Sequence, residues 1–311
     1  MDNKSVPEIP MGDRGVWENH FRLSGANAGK RTYETIQVKK LSPALGAEIS
    51  GVDLTKPLGN QIFQEVHDAL VDNQVIFFRD QDLSYDQHKQ FGRRFGALHV
   101  HPVIPGPEGH PEILMLHSDE KVQYSASAWH SDVSFEPMPN LGAILLAKVI
   151  PEAGGDTEFA SMHAAYEGLS DQMQRFLCGL EAEHASEHVF GRPKNENDHR
   201  PKSVHPVIRT HPVSGRHGIF VNSVFTTKIV GMKPKESTAV LEFLYRHVET
   251  PEFHVRFKWE RNSIAFWDNR STQHRAIADY FPQTRTMQRI TINGDDAPAY
   301  RPRRRRTSVG P

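Results

Sequence analysis

From about residue 33 onward, short apolar runs are separated by Gly, Pro, Asn and Asp. Residues 49–54, 75–78, 113–116 and 143–149 are apolar throughout or alternate apolar with polar positions, which predicts buried or half-buried strands. Ile62, Val66, Ala69 and Leu70 recur at helical spacing and predict a helix over residues 60–71. Ser84 is placed to cap a second helix reaching Phe95 and Ser170 to cap a third; residues 235–248 form a fourth, with Val240, Leu241 and Leu244 apolar. The last third is strand-rich, at 207–209, 218–221, 254–259, 264–267 and 284–293. Strands outnumber helices without βαβ alternation. A mainly β fold with flanking helices, closed or sandwich-like, therefore fits better than a doubly wound sheet.

Residues 1–32 carry no periodic apolar pattern and are expected to be a flexible N-terminal arm. Residues 33–300 are then the folded domain and residues 301–311 an Arg-rich tail.

Composition narrows the chemistry. The 311 residues include 18 histidines and one cysteine, Cys178. A lone cysteine excludes a disulfide framework, an Fe–S cluster and thiolate zinc sites, so any metal has to be held by imidazole and carboxylate. Cys178 itself lies in an apolar helical stretch and is expected to be a packed core thiol. Lys and Arg number 37 against 38 Asp and Glu, with Arg301, Arg303, Arg304, Arg305 and Arg306 concentrated in the tail. With no basic face elsewhere, these read as solvated rather than as a nucleic-acid contact. No apolar run reaches the ~18 residues of a membrane span, and residues 1–30 lack the apolar centre of a signal peptide. The expectation is a cytoplasmic protein with no membrane partner.

Three groupings could carry chemistry. In Trp129-His130-Ser131-Asp132, a strand would place His130 and Asp132 on one face. His274, on a distant strand, would complete a set of two His and one carboxylate; such a set leaves adjacent positions open on the metal and suits non-haem Fe(II) oxygenases. In Thr284 to Thr291, a strand would turn Arg285, Met287 and Arg289 to one side, so two guanidinium groups would share a space fit for anions. His184, Glu187 and His188 match the inverted zinc-protease pattern, which requires both His on one helical face; this leaves a zinc metalloprotease as a remote alternative. Gly154-Gly155-Asp156-Thr157 reads as a turn, and Asn269-Arg270-Ser271 as an unused glycosylation sequon.

Taken jointly, these segments resemble the taurine dioxygenase family of Fe(II)- and 2-oxoglutarate-dependent oxygenases. The resemblance rests on Phe95-Gly96-Ala97-Leu98-His99-Val100-His101-Pro102, on the Trp129 to Phe135 segment, on Gly154 to Thr157, on His211-Pro212-Val213-Ser214-Gly215, and on Trp267-Asp268-Asn269 leading to His274, Arg285 and Arg289. It implies a double-stranded β-helix (jelly roll, cupin-like) core in which His130, Asp132 and His274 hold Fe(II). Thr157 and Arg285 would grip the distal carboxylate of 2-oxoglutarate. His101 and Arg289 would face the anionic head of a small organic substrate, with Phe190 and Phe225 lining its stem. The implied reaction consumes O2, hydroxylates the carbon next to the sulfonate of taurine or a related alkyl sulfonate, and releases sulfite, aldehyde, succinate and CO2. A homo-oligomer, dimer or tetramer, is expected.

Two positions depart from the taurine-specific pattern. Ile104 stands where such members carry Tyr, and Ala126 where they carry Asn. Both changes remove hydrogen-bonding groups and leave an apolar wall, which discriminates by size rather than by polar pairing. The expected substrate therefore keeps the anionic head and differs at its other end; alkyl sulfates and aryloxy carboxylates are the alternatives within the family.

Overall fold

The computed structural model describes residues 31–101, 105–123, 126–191 and 201–302. Its largest sheet has seven strands in the order β1 (Gln37–Lys40), β2 (Ala47–Ser50), β3 (Val75–Phe78), β13 (Ile264–Asp268), β5 (Gly142–Val149), β15 (Arg285–Ile292) and β4 (Leu114–Ser118). All neighbours are antiparallel except β2 and β3. A second sheet, β12 (His254–Phe257), β6 (Thr157–Ser161) and β14 (Thr272–Ala276), packs over the first. Two smaller sheets complete the set: β11 (Thr226–Ile229), β7 (Glu181–Ala185) and β8 (Lys202–Pro206) in one, β10 (His217–Ile219) and β9 (Ile208–Thr210) in the other.

The central strands are apolar on both faces because both faces are covered. Val75 and Phe77, Ala143, Leu145 and Ala147, Ala265 and Trp267, and Met287 point between the sheets, where they meet Phe159 of β6 and Val255 and Phe257 of β12. Phe77 and Phe257 stack across the gap at 4.0 Å between ring centroids. The alternate positions, Ile76 and Phe78, Ile144 and Leu146, Ile264 and Phe266, and Ile290 and Ile292, face outward onto α1 (Asn60–Asn73) and α2 (Tyr85–Arg93) through Val66, Ala69, Leu70 and Phe91. Two mainly antiparallel layers closed this way form a cupin-like jelly roll. Ser84 caps α2 with a reciprocal capping box through Gln87, and Ser170 caps α4 (Asp171–Leu177). α6 (Pro234–Val248) buries Leu241, Leu244 and Val248 in a third cluster, beside α3 (Met162–Glu167).

Several expectations change. Residues 49–54 are not a strand throughout: β2 is Ala47–Ser50 and ends at Gly51, whose φ of +82° turns the chain. Cys178 is the C-cap of α4 and only partly buried, 3.8 Å from the Tyr166 hydroxyl, so it is not a core thiol. Most of the arm and tail lies outside the described residues. Within them, Arg31 pairs with Asp68 and Asp72 of α1, and Arg301 is held by Thr210 through its backbone and by Asp296 through its side chain. Among the described residues no helix is long and apolar enough to cross a membrane.

Candidate active site

His130, Asp132 and His274 converge: one donor atom from each lies within 4.8 Å of the others, and all three residues are buried. The two imidazole Nε2 atoms stand 3.8 Å (His130) and 3.9 Å (His274) from Asp132 Oδ1. The local geometry differs from the strand reading. His130 forms only a single bridge, its backbone exchanging both hydrogen bonds with His274 at the edge of β14, and Asp132 opens a turn. Val133, next in the chain, has φ +43°, a conformation β-branched residues rarely adopt. The turn rather than strand alternation brings the carboxylate back beside the two rings.

His130 Nδ1 donates to the Ala128 carbonyl at 2.8 Å, which orients the ring and turns Nε2 toward Asp132. His274 lies between the rings of Trp267 and Phe159, with centroids at 4.6 and 6.1 Å. Burial, then the neighbouring His130, push its pKa well below the ordinary imidazole value, so the ring is neutral. Burial raises the Asp132 carboxyl, but Arg289 and the two histidines outweigh it and hold the group below the usual carboxylate range. Two imidazoles with one carboxylate are a donor set suited to Fe(II).

β15 carries both predicted arginines on its inner face, with Met287 between them. Arg285 is 7 % exposed; it donates Nε to the Gly155 carbonyl at 3.0 Å and stands 5.8 Å from the Tyr280 ring. Among the described residues no carboxylate forms an ion pair with it, and burial lowers its pKa. A buried guanidinium without an ion-pair partner is chemically suited to receive an anion. Gly155 has φ +73°, a backbone conformation that L side chains rarely adopt, and a Cβ there would also crowd Arg285 Cδ at 3.1 Å. Thr157, predicted within a turn, instead opens β6. Its hydroxyl accepts from the Trp259 indole at 3.0 Å, which leaves its own proton free to donate.

Arg289 donates to Asp132 Oδ2 at 2.6 Å and lies 5.4 Å from the Trp267 ring. His101 is half-buried and feels the charge of Arg289: burial, then His99, then Arg289 lower its pKa. Phe225 lies 6.5 Å from the His130 ring, Phe135 lies 4.9 Å from Phe225, and Phe190 lies 6.2 and 6.3 Å from Phe135 and Phe225. Ala126 is partly buried, and its carbonyl accepts from Ala276 at 2.9 Å, beyond which it offers only a methyl group. Ile104 lies outside the described residues.

The zinc-protease pattern is overturned. His184 belongs to β7 and is buried with Nδ1 3.0 Å from Ser134 Oγ, whereas His188 sits on the separate four-residue helix α5 (Glu187–Phe190), with Nε2 against the Val224 carbonyl. They share no helical face. Three further residues at the site lie in the segments that carry the resemblance but had no role read for them: Phe135 joins the two predicted phenylalanines, Asn269 donates to Asp132, and Trp267 packs on His274.

The model of the "Taurine catabolism dioxygenase TauD, TfdA family" matches residues 37–291. An alkylsulfatase of Acinetobacter baylyi is 36% identical over 277 residues, which cover 84% of this chain and 86% of that protein. An alpha-ketoglutarate-dependent sulfonate dioxygenase of Saccharomyces cerevisiae is 33% identical over 268 residues, covering 81% of this chain and 65% of that protein. The crystal structure of a taurine dioxygenase from Burkholderia xenovorans superposes with a TM-score of 0.77 at 38% identity, covering 86% of this chain and 91% of that one. With its jelly roll and its His-Asp-His cluster, the chain belongs to the TauD/TfdA family of 2-oxoglutarate-dependent dioxygenases, which use Fe(II), 2-oxoglutarate and O2.

Proposed function

We propose that the protein hydroxylates the carbon next to the sulfur-bearing group of an alkyl sulfonate or alkyl sulfate whose body is longer and more apolar than that of taurine. The observation that carries this reading is the pairing, beside one His-Asp-His cluster, of a guanidinium, Arg289, with an aromatic run, Phe225, Phe135 and Phe190. An anionic head and an apolar body are what such a surface recognises.

His130, Asp132 and His274 would hold Fe(II), which supplies the oxidising chemistry when bound with 2-oxoglutarate and O2. Arg285 and the Thr157 hydroxyl would bind the distal carboxylate of 2-oxoglutarate; that Arg285 is buried and, among the described residues, ion-paired with no carboxylate supports this role. Arg289 and His101 would hold the substrate anion and so fix which C–H bond faces the metal. Phe225, Phe135 and Phe190 would exclude water along the substrate body. Ala126 and Ile104 supply no hydrogen-bonding side chain, which disfavours the ammonium end of taurine. Hydroxylation next to a sulfonate yields an adduct that breaks to an aldehyde and sulfite; next to a sulfate ester, it yields an aldehyde and sulfate.

The test is a rank order of kcat/KM across taurine, longer alkyl sulfonates, alkyl sulfates and aryloxy acids. Higher values for the longer sulfur compounds are expected. Equal values for taurine and long-chain sulfonates contradict the apolar-wall reading, and preferred turnover of aryloxy acids transfers the reading to carboxylates.

A further inference from the structure

Asn269 lies in the turn between β13 and β14, 2 % exposed, with its backbone N–H donating to the Leu141 carbonyl at 2.9 Å. Its side chain is held from two directions. The Trp267 indole N–H reaches Asn269 Oδ1 at 3.1 Å, and the backbone N–H of Asp132 approaches the same oxygen at 3.4 Å. An indole N–H can only donate, as can a backbone N–H, so the atom facing both must be the amide oxygen. The amide therefore cannot be flipped, and its NH2 group must point the other way. There it meets Asp132 Oδ2 at 3.2 Å.

The two oxygens of Asp132 thus have different tasks. Oδ1 faces the Nε2 atoms of His130 and His274, whereas Oδ2 accepts from Asn269 and from Arg289. Arg289 is also the group proposed above to hold the substrate anion, and a guanidinium drawn toward a sulfonate leaves Oδ2 with fewer donors. Asn269 belongs to the turn that begins the His274 strand and stays in place whichever partner Arg289 takes.

We infer that Asn269 is a positioning residue for the metal: oriented by the Trp267 indole, it holds Asp132 Oδ2 so that Oδ1 alone is presented beside the two histidines. The inference rests on the proposed metal-binding role of His130, Asp132 and His274. Partners of metal ligands at this remove are commonly worth 10- to 100-fold in metal affinity.

The experiment is Mn(II) binding to the metal-free full-length protein, followed by electron paramagnetic resonance, for wild type, Asn269→Ala, Trp267→Phe and the double variant. Asn269→Ala is expected to weaken Mn(II) binding roughly 10- to 100-fold. Trp267→Phe frees the amide to turn and is expected to weaken it less; because the indole also packs on the His274 ring at 4.6 Å, the share carried by the amide is read as coupling, with the double variant losing less than the sum of the two single changes. Asn269→Ala that loses thermal stability but keeps the wild-type Kd on its folded fraction overturns the inference, as does additivity of the two changes. If Asn269→Ala does not fold, Trp267→Phe decides: an unchanged Kd refutes the positioning role. Wild-type protein that binds no Mn(II) refutes instead the proposed metal site, so the two failures are distinct.

Discussion

Replacing Arg285 with Met separates a binding role from a structural one, because the two predict opposite signs. Arg285 is 7 % exposed, and among the described residues no carboxylate forms an ion pair with it; its hydrogen bonds to the Gly155 carbonyl and to Tyr280 are to uncharged groups, and the Asp156 charge acts on it only from farther away. Without 2-oxoglutarate, that buried charge costs several kcal/mol of desolvation, which Met does not incur. Loss of the bond to Gly155 costs ~1 kcal/mol in return, and the unbranched Met stem fills much of the same space. The ligand-free variant is therefore expected to be as stable as wild type or more stable, by up to ~2 kcal/mol. Its affinity for 2-oxoglutarate should fall, since truncating one member of a buried ion pair costs about 2–5 kcal/mol, or roughly 30-fold to several thousand-fold in Kd. Calorimetric titration of 2-oxoglutarate into the Mn(II)-loaded protein, with urea unfolding of the ligand-free form, reads both quantities. A Kd within threefold of wild type, or a loss of more than ~2 kcal/mol of stability, refutes the assignment of Arg285 as an anion receptor.

Changing Arg289 to Gln should raise KM for the sulfur-containing substrate and increase succinate formed without product, with the 2-oxoglutarate Kd unchanged; a matching loss of 2-oxoglutarate affinity would contradict the division between the arginines. Phe190 is 53 % exposed, so Phe190→Ala should alter stability by less than ~0.5 kcal/mol while raising KM for long-chain substrates. The penalty should reach about fourfold for each methylene that loses contact, at ~0.8 kcal/mol each, and equal penalties for short and long chains would remove Phe190 from the substrate path. Burial pushes His88 and His184 down to about 3, so between pH 6.5 and 3 the unfolded chain binds protons that the folded one does not. Stability is then full above pH 6.5 and falls on acidification by ~1.4 kcal/mol per pH unit for each ring; a flat unfolding free energy between pH 6 and pH 4.5 would contradict this. Ala in place of His130 and Asp132 should abolish metal binding, whereas His188→Ala should leave one metal per chain, and the reverse pattern would revive the protease pattern.

The sequence was legible where a residue's surroundings follow from its immediate neighbours. The strands β3, β5, β13 and β15 were visible as apolar runs because both of their faces are buried, and the Ser84 and Ser170 caps because capping is local. β7 was obscured: alternate burial in a three-stranded sheet places Glu181 and Glu183 outward and His184 inward, which in one dimension mimics a metal-binding helix. Thr157 was recognised but misplaced, since two glycines with positive φ look like a turn although the strand begins immediately after them. His130 and Asp132 were identified on the assumption of a strand, whereas a turn with Val133 at positive φ performs the convergence. Asn269 was legible only as a member of the Trp267-Asp268-Asn269 segment and not by its contacts, because these depend on an indole and a carboxylate that reach it only through the fold.

The reaction proposed for this jelly roll couples 2-oxoglutarate oxidation to release of the sulfur group from a long-chain substrate. The direct measurement is the ratio of succinate to sulfite or sulfate formed by the purified, Fe(II)-loaded protein with 2-oxoglutarate, O2 and either octanesulfonate or octyl sulfate. Substrate-dependent succinate is expected, matched one to one by sulfite or sulfate for at least one of the two. Succinate at the substrate-free rate with both compounds, and no sulfur released from either, would contradict it.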